Sequence, residues 1–309
     1  MVSRMTNILV IGASGFVGGH VARALAAGGH AVRCLARNPS KAGDLAGCEI
    51  VQGDMSDPAS LSRAMTGIEA VYISVQTISP QPASPAAQGF MDVETLGIHN
   101  IVAAAKARGT RRAIYVTSLG IGPDTPSLWT RERWKLERFL LQSGLDATVI
   151  RPGMIVGIGG RGFGMTVAQA RSRLAIVLGN GRGKMRHIAI GDLTYYLTGV
   201  LNDPRAYGQC YEVGGDELYD HNRMIDLVAE VLGRKPPPKL HIPVALVAAL
   251  APLIGRALKS PKGAFKGILD GMKEDGIGDP LPIRAILPRP PLDFRDAVRA
   301  ALNTRTKEQ

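Results

Sequence analysis

Three glycines, Gly12, Gly15 and Gly18, lie in the stretch VIGASGFVGGHVARAL, between a β-branched run and a helical pattern. Glycines so placed permit a tight turn, close approach of backbone to a diphosphate, and contact between helix and sheet. Unpaired N–H groups at the helix start then face the phosphates. The spacing is G-x-x-G-x-x-G, not the G-x-G-x-x-G of many dinucleotide dehydrogenases. Ser14, Phe16 and Val17 lie in the same turn and are expected to touch the cofactor.

A second determinant follows the next apolar run, in CLARNPSKAGD. A protein that binds NAD offers an acid here to the ribose 2′-hydroxyl. This chain instead places Arg37 just past the run and Lys41 one turn further, and its nearest acid, Asp44, lies well beyond. A cation in that place favours the 2′-phosphate of NADP. A solvated arginine at a strand end is the plain alternative, and Arg33 is expected to face away. Asp54, followed by Met55 in GDMSD, stands where a carboxylate reaches the adenine amino group; it would serve equally as a turn former or helix cap.

The third candidate is a basic helical stripe. Arg131, Lys135, Arg138 and Gln142 are spaced four, three and four apart and share one helix face. The stripe would bring Lys135 to a site, or simply meet water. Arg131 stands four residues before Lys135, where many nucleotide-dependent reductases carry a tyrosine, and an arginine gives up no proton at ordinary pH.

The elements that must position these residues alternate. Strand-like runs occur at 7–11, 31–36, 49–53, 70–75, 113–118 and 147–152, with helical patterns near 16–28, 58–66, 89–108 and 128–143. Such alternation predicts a Rossmann-type, doubly wound parallel sheet of the α/β class. After residue 155 the pattern loosens into a smaller, mainly helical C-terminal substrate lobe. The expected units are 1–155 and 156–309, with about 185–215 returning to the first. Within the second unit the pattern predicts helices near 165–178, 192–202 and 221–233 and strands at RHIAI and QCYEVGG. KPPPKL should break the chain, and a proline-rich extended tail should precede a last helix at 293–302. The loop at 76–88 follows the fourth strand, a place where long loops often serve ligands. His187 and Asp192 read as a strand residue and a helix cap, and Trp129 and Trp134 as packing residues.

Together the pieces GASGFVG, LARNPSK, the QGD that includes Asp54, YVTSLG, the lysine helix and VIRPGMIVG resemble the atypical and extended short-chain dehydrogenase/reductases. The NmrA-like and isoflavone-reductase-like branch is the nearest in pattern. The resemblance spans residues 7 to about 215, with a looser match through YEVGG and PLDFRDAV. It implies that Thr117 and Ser118 bring a hydroxyl to the substrate, and that Lys135 holds the nicotinamide ribose. Pro152, Gly153 and Met154 would meet the carboxamide. The departure is Arg131 in place of tyrosine, and no Tyr-x-x-x-Lys occurs anywhere in the chain.

The implied function is an NADPH-dependent oxidoreductase of a small, largely apolar carbonyl, enone or quinone-like substrate. Lys135, Ser118 and Arg131 would be its catalytic groups, with Lys135 relaying a proton. The other class consistent with the missing tyrosine is a non-catalytic NADPH sensor or an accessory and assembly protein.

Bulk properties exclude other classes. Of the 309 residues 45% are hydrophobic and 20% charged, as in ordinary globular proteins. Cys34, Cys48 and Cys210 are scattered, and the six histidines lack ligand spacing, so no metal is expected. The net charge of +11 is distributed in short clusters without interleaved aromatics, which argues against nucleic acid and for solvated faces. The start, MVSRMTNILVIG, lacks a leader pattern, so a cytoplasmic location is expected. The 244–273 segment mixes apolar positions with lysines and arginine. Half of a substrate-pocket lid is the economical reading, and a weak peripheral membrane contact the rival one.

Overall fold

The computed structural model describes residues 5–43, 45–75, 90–249 and 275–307, without the side chains of residues 41, 90 and 304–307. The 76–88 loop, Asp44, and all of the 244–273 segment after residue 249 lie outside the described residues.

Six strands alternate with helices in the first half: β1 (Asn7–Ile11), α1 (Phe16–Ala27), β2 (Ala31–Ala36), β3 (Cys48–Gln52), α2 (Pro58–Ala64), β4 (Ala70–Ile73), α3 (Phe90–Arg108), β5 (Arg112–Val116), α4 (Leu128–Leu141) and β6 (Asp146–Pro152). The chain continues through β7 (Met154–Val156), α5 (Arg161–Arg171), β8 (Ala175–Leu178), β9 (Lys184–Ala189), α6 (Ile190–Gly199) and β10 (Gln209–Val213). After these come β11 (Leu218–Asp220), α7 (His221–Val231), β12 (Lys239–Ile242), α8 (Leu281–Ile286) and α9 (Phe294–Lys307).

The central sheet runs β10-β6-β5-β4-β1-β2-β3, and every pair in it is parallel. This is the expected doubly wound sheet with a seventh strand added at one edge. Its central strands are buried on both faces, which is why they read as continuous apolar runs such as AVYI. One core cluster lies between the sheet and the side formed by α1 and α6, and includes Val10, Val21, Leu25, Tyr72 and Leu197. A second lies under α2, α3 and α4, and includes Leu9, Leu61, Ile98, Leu136 and Leu140. A third, around Phe163, Val177, Met224, Val228 and Phe294, holds the C-terminal elements together.

Two expectations need correction. The helix expected at 165–178 begins earlier, at Arg161, and stops at Arg171. Residues 175–178 instead form β8, whose alternating burial has the period of a strand, and β8 pairs in parallel with β12 just after the proline run. The proline-rich tail also contains a short helix, α8, with proline in its first turn, where the missing N–H costs nothing.

Candidate cofactor and acceptor site

The C-terminal ends of β1, β4, β5 and β6 form one edge of the sheet, and the glycine turn crosses it. Gly12 has φ +92°, and a Cβ there would lie 2.2 Å from the Ser74 carbonyl oxygen at the end of β4. A Cβ on Gly18 would lie 2.3 Å from the Gly12 oxygen. Both positions therefore demand glycine. The Gly15 N–H donates to the Gly12 oxygen at 2.9 Å and closes the turn. Gly15 begins the 12-residue helix α1 with no side-chain cap, leaving the first-turn N–H groups open to an anion. Ser14 is exposed, and Phe16 and Val17 are half-buried. The Phe16 ring packs on a second glycine turn, where a Cβ on Gly157 would lie 2.7 Å from it.

Beyond β2, Arg37 is exposed, and among the described residues nothing bonds its guanidinium. Asn38 stabilises the turn that follows by accepting the Ser40 N–H at 3.1 Å, and Lys41 ends that turn. Arg33 faces elsewhere, toward Glu49 at 2.8 Å and the Ala64 and Thr66 carbonyls. Asp54 is a turn former here: one carboxylate oxygen accepts from the Ser56 N–H at 2.8 Å and the Ser56 hydroxyl at 2.7 Å. The cap of α2 is Asp57. Met55 is buried against Gly97 of α3.

Helix α4 does not present the expected stripe to the sheet. Its buried positions are Thr130, Arg133, Leu136, Glu137 and Leu140. Lys135 lies two residues, or about 200° of helix, from Arg133. It points to solvent with 63% of its side chain exposed and pairs with Glu132 at 2.8 Å. Arg131 folds back on the Thr125 and Pro126 carbonyls of the turn before α4. The expectation that Lys135 and Arg131 meet the cofactor and substrate thus does not fit their positions. A helix can aim only one face inward, and the apolar residues choose it.

That inward face carries Trp129 and Arg133, which have the four-residue spacing of the missing Tyr-x-x-x-Lys. Arg133 is 1% exposed and Glu94 of α3 is fully buried. The guanidinium lies 2.8 Å from the Glu94 carboxylate, donates to the Val75 carbonyl at 3.1 Å, and sits 4.8 Å over the Trp129 ring. Tyr115 donates its hydroxyl to the same Glu94 oxygen at 2.6 Å. Burial, followed by the Glu94 charge, holds the Tyr115 pKa well above its usual value, so it remains a neutral donor. Burial opposes the Arg133 charge, but Glu94 and Tyr115 outweigh it, and the arginine pKa is raised. Sequence reasoning missed Arg133. The available signal was its phase with Leu136 and Leu140, which marks a buried position.

At the ends of β5 and β6, Thr117 donates to the Glu137 carboxylate at 2.6 Å and is buried. Glu137 also accepts from Arg151, and its pKa is raised by burial, with Arg151 and Thr117 opposing. Ser118 is half-buried, and its hydroxyl makes no hydrogen bond among the described residues. A Cβ on Gly153 would lie 2.4 Å from the Arg186 carbonyl, so Pro152, Gly153 and Met154 carry the chain closely past β9.

Asp192 is not a cap. It is buried in the first turn of α6 and accepts from Arg289 at 2.6 Å and the Leu292 N–H at 3.1 Å, tying the tail to the body. Among the described residues no cluster of potential metal ligands occurs, and no helix is long and apolar enough to cross a membrane.

A glycine turn closing on an uncapped helix, at the C-terminal edge of a 3-2-1-4-5-6 parallel sheet, defines a Rossmann-type dinucleotide-binding protein. The family model described as NAD(P)H-binding matches residues 12–173, over half of the chain, and the chain belongs to that family. Related proteins include an NAD(P)H azoreductase of Xenophilus azovorans, 23% identical over 269 residues, covering 86% of this chain and 85% of the relative. The photosystem II assembly factor Ycf39 of Cyanophora paradoxa is 34% identical over 147 residues, 47% of this chain and 44% of that protein. Among solved structures, the NADPH-dependent quinone oxidoreductase QOR2 of Escherichia coli, in complex with NADPH, superposes with TM-score 0.72 at 23% identity. That match covers 96% of this chain and 100% of that one.

Proposed function

We propose that the protein is an NADPH-dependent oxidoreductase that transfers hydride to a small, largely apolar carbonyl, enone or quinone-like acceptor. The observation that carries the cofactor half is the pairing of an uncapped glycine turn with the open guanidinium of Arg37 at the end of β2. The turn would hold the diphosphate and Arg37, with Lys41, the 2′-phosphate. Pro152, Gly153 and Met154 would border the nicotinamide, which supplies the hydride when bound. Ser118 is the hydroxyl left open at this edge, and its role is to orient the acceptor oxygen. The azoreductase and quinone oxidoreductase among its relatives and structural neighbours support the same class of reaction.

The second reading is an NADPH-binding accessory protein. It draws on Trp129 and Arg133, neither of which releases a proton, and on the likeness of one half of the chain to the assembly factor. Titration with NADPH and NADH tests the cofactor assignment shared by both. A charge-assisted contact is worth roughly 1.5–3 kcal/mol, so NADPH should bind about ten- to hundredfold more tightly, and Arg37→Glu should erase the difference. Equal affinities in the unaltered protein would refute it.

A further inference from the structure

We propose that the outer face of the ribbon formed by β8 and β12 is a docking surface for an anionic phospholipid bilayer. The two strands pair in parallel, with Ala175 opposite Lys239, Ile176 opposite Leu240, Val177 opposite His241 and Leu178 opposite Ile242. Alternation along each strand sends one set of side chains inward and the other outward. The inward set is fixed by its contacts. Ala175 and Val177 are buried in the third core cluster with Met224 and Val228. Lys239 pairs with Asp226, and the His241 ring bonds Asn222 at 3.1 Å, both partners lying on α7. The outward set is therefore Leu174, Ile176 and Leu178 beside Leu240 and Ile242, without one polar side chain. Leu174, Ile176 and Leu240 are 47%, 52% and 49% exposed, and Leu178 and Ile242 are half-buried. Neighbouring leucine and isoleucine side chains left in water on one face mark a surface that meets an apolar partner.

The charge around the strip identifies that partner. Residues 171–184 and 232–249, which carry the two strands, are rich in lysine and arginine and contain no acid. Lys184 and Lys239 pair with acids on neighbouring elements. Arg171, Arg173, Arg182, Arg234 and Lys235 are exposed and form no ion pair among the described residues. The backbone gathers four of them at one end of the ribbon: Arg234 donates to the Arg171 carbonyl at 3.0 Å, and the Ala175 N–H donates to the Pro238 carbonyl at 2.9 Å. Arg182 lies past the other end, between β8 and β9. An apolar strip with cations at both ends matches a bilayer of acidic lipids. Its leucines and isoleucines enter the interface while the long basic side chains reach the phosphates. The strip offers no hydrogen-bonding side chain to orient a specific protein, and a fluid surface needs none. Nucleic acid fits it less well, because base recognition calls for polar or stacking groups.

The test measures co-sedimentation of the full chain with vesicles of equal parts phosphatidylglycerol and phosphatidylcholine, and with vesicles of phosphatidylcholine alone. The anionic vesicles should bind about tenfold or more tightly, and salt at about 0.5 M should remove most of that difference. Ile176→Ser with Leu240→Ser, and Arg173→Gln with Lys235→Gln, should each weaken binding by about tenfold or more, with urea midpoints near that of the wild type. Leu128→Ser, which alters an exposed apolar residue on α4, should match the wild type. The fluorescence of Ile176→Trp should be quenched by anionic vesicles with brominated acyl chains, whereas Leu128→Trp should gain no quenching over the wild type. No binding to anionic vesicles, binding undiminished in either paired variant, or no added quenching at residue 176 would overturn the proposal. So would binding to DNA as tight as that to vesicles and unchanged by Ile176→Ser with Leu240→Ser, the mark of a general polyanion surface.

Discussion

Arg133 on α4 and Glu94 on α3 form a buried ion pair at 2.8 Å, and the same guanidinium bonds Val75 at the end of β4. The pair therefore joins two helices to the strand end on which the glycine turn rests. Removing one partner leaves an uncompensated charge in the core, which costs about 3–5 kcal/mol. Arg133→Met and Glu94→Gln should each lose stability on that scale in urea unfolding. Arg133→Met combined with Glu94→Gln should lose distinctly less than the sum, because neither charge is then stranded. Additive losses would show that the two residues act separately.

Lys135 gives the opposite expectation. It is exposed and, among the described residues, pairs only with Glu132 one turn away, a contact worth about 0.3–0.5 kcal/mol. Lys135→Met should leave stability within about 0.5 kcal/mol and NADPH affinity within about twofold. A large loss of affinity or turnover in this variant would place the lysine at the cofactor after all.

His187 predicts an acid-side weakness. It is fully buried beside the Leu292 carbonyl, and burial lowers its pKa below the ordinary 6.5, with that carbonyl and nearby acids opposing. The unfolded chain then binds more protons than the folded one between the lowered value and 6.5. Stability from the neutral ring is therefore present above 6.5 and lost as pH falls through the folded value. His187→Gln should be less stable near neutrality yet show a shallower decline from pH 6.5 downward, read from urea midpoints across pH. The same slope in both proteins would acquit His187.

Much of this was legible in the sequence, and the omissions have physical causes. Strand runs such as NILVI and AVYI, and the glycines at 12, 15 and 18, announce themselves locally, through β-branched side chains and backbone demands that only glycine meets. The phase of α4 is ambiguous in the sequence because its basic stripe of Arg131, Lys135 and Arg138 is as regular as the buried one that holds Leu136 and Leu140. A charge in the buried phase, Arg133, becomes sensible only with Glu94, 39 residues earlier. Likewise β8 and β12 each depend on a partner more than sixty residues away, so neither run signals a strand by itself. Residues 275–279 carry no local signal, since their hydrogen bonds reach back some ninety residues to β9.

The central claim is that bound NADPH delivers a hydride without the usual tyrosine, and its most direct test is a single-turnover experiment. Protein carrying one equivalent of NADPH is mixed with excess carbonyl, enone or quinone, and nicotinamide fluorescence is followed. The account predicts loss of the signal with at least one apolar acceptor, yielding one equivalent of NADP⁺ and reduced product per site. Tight NADPH binding with the fluorescence unchanged across the whole panel would contradict it and select the accessory-protein reading.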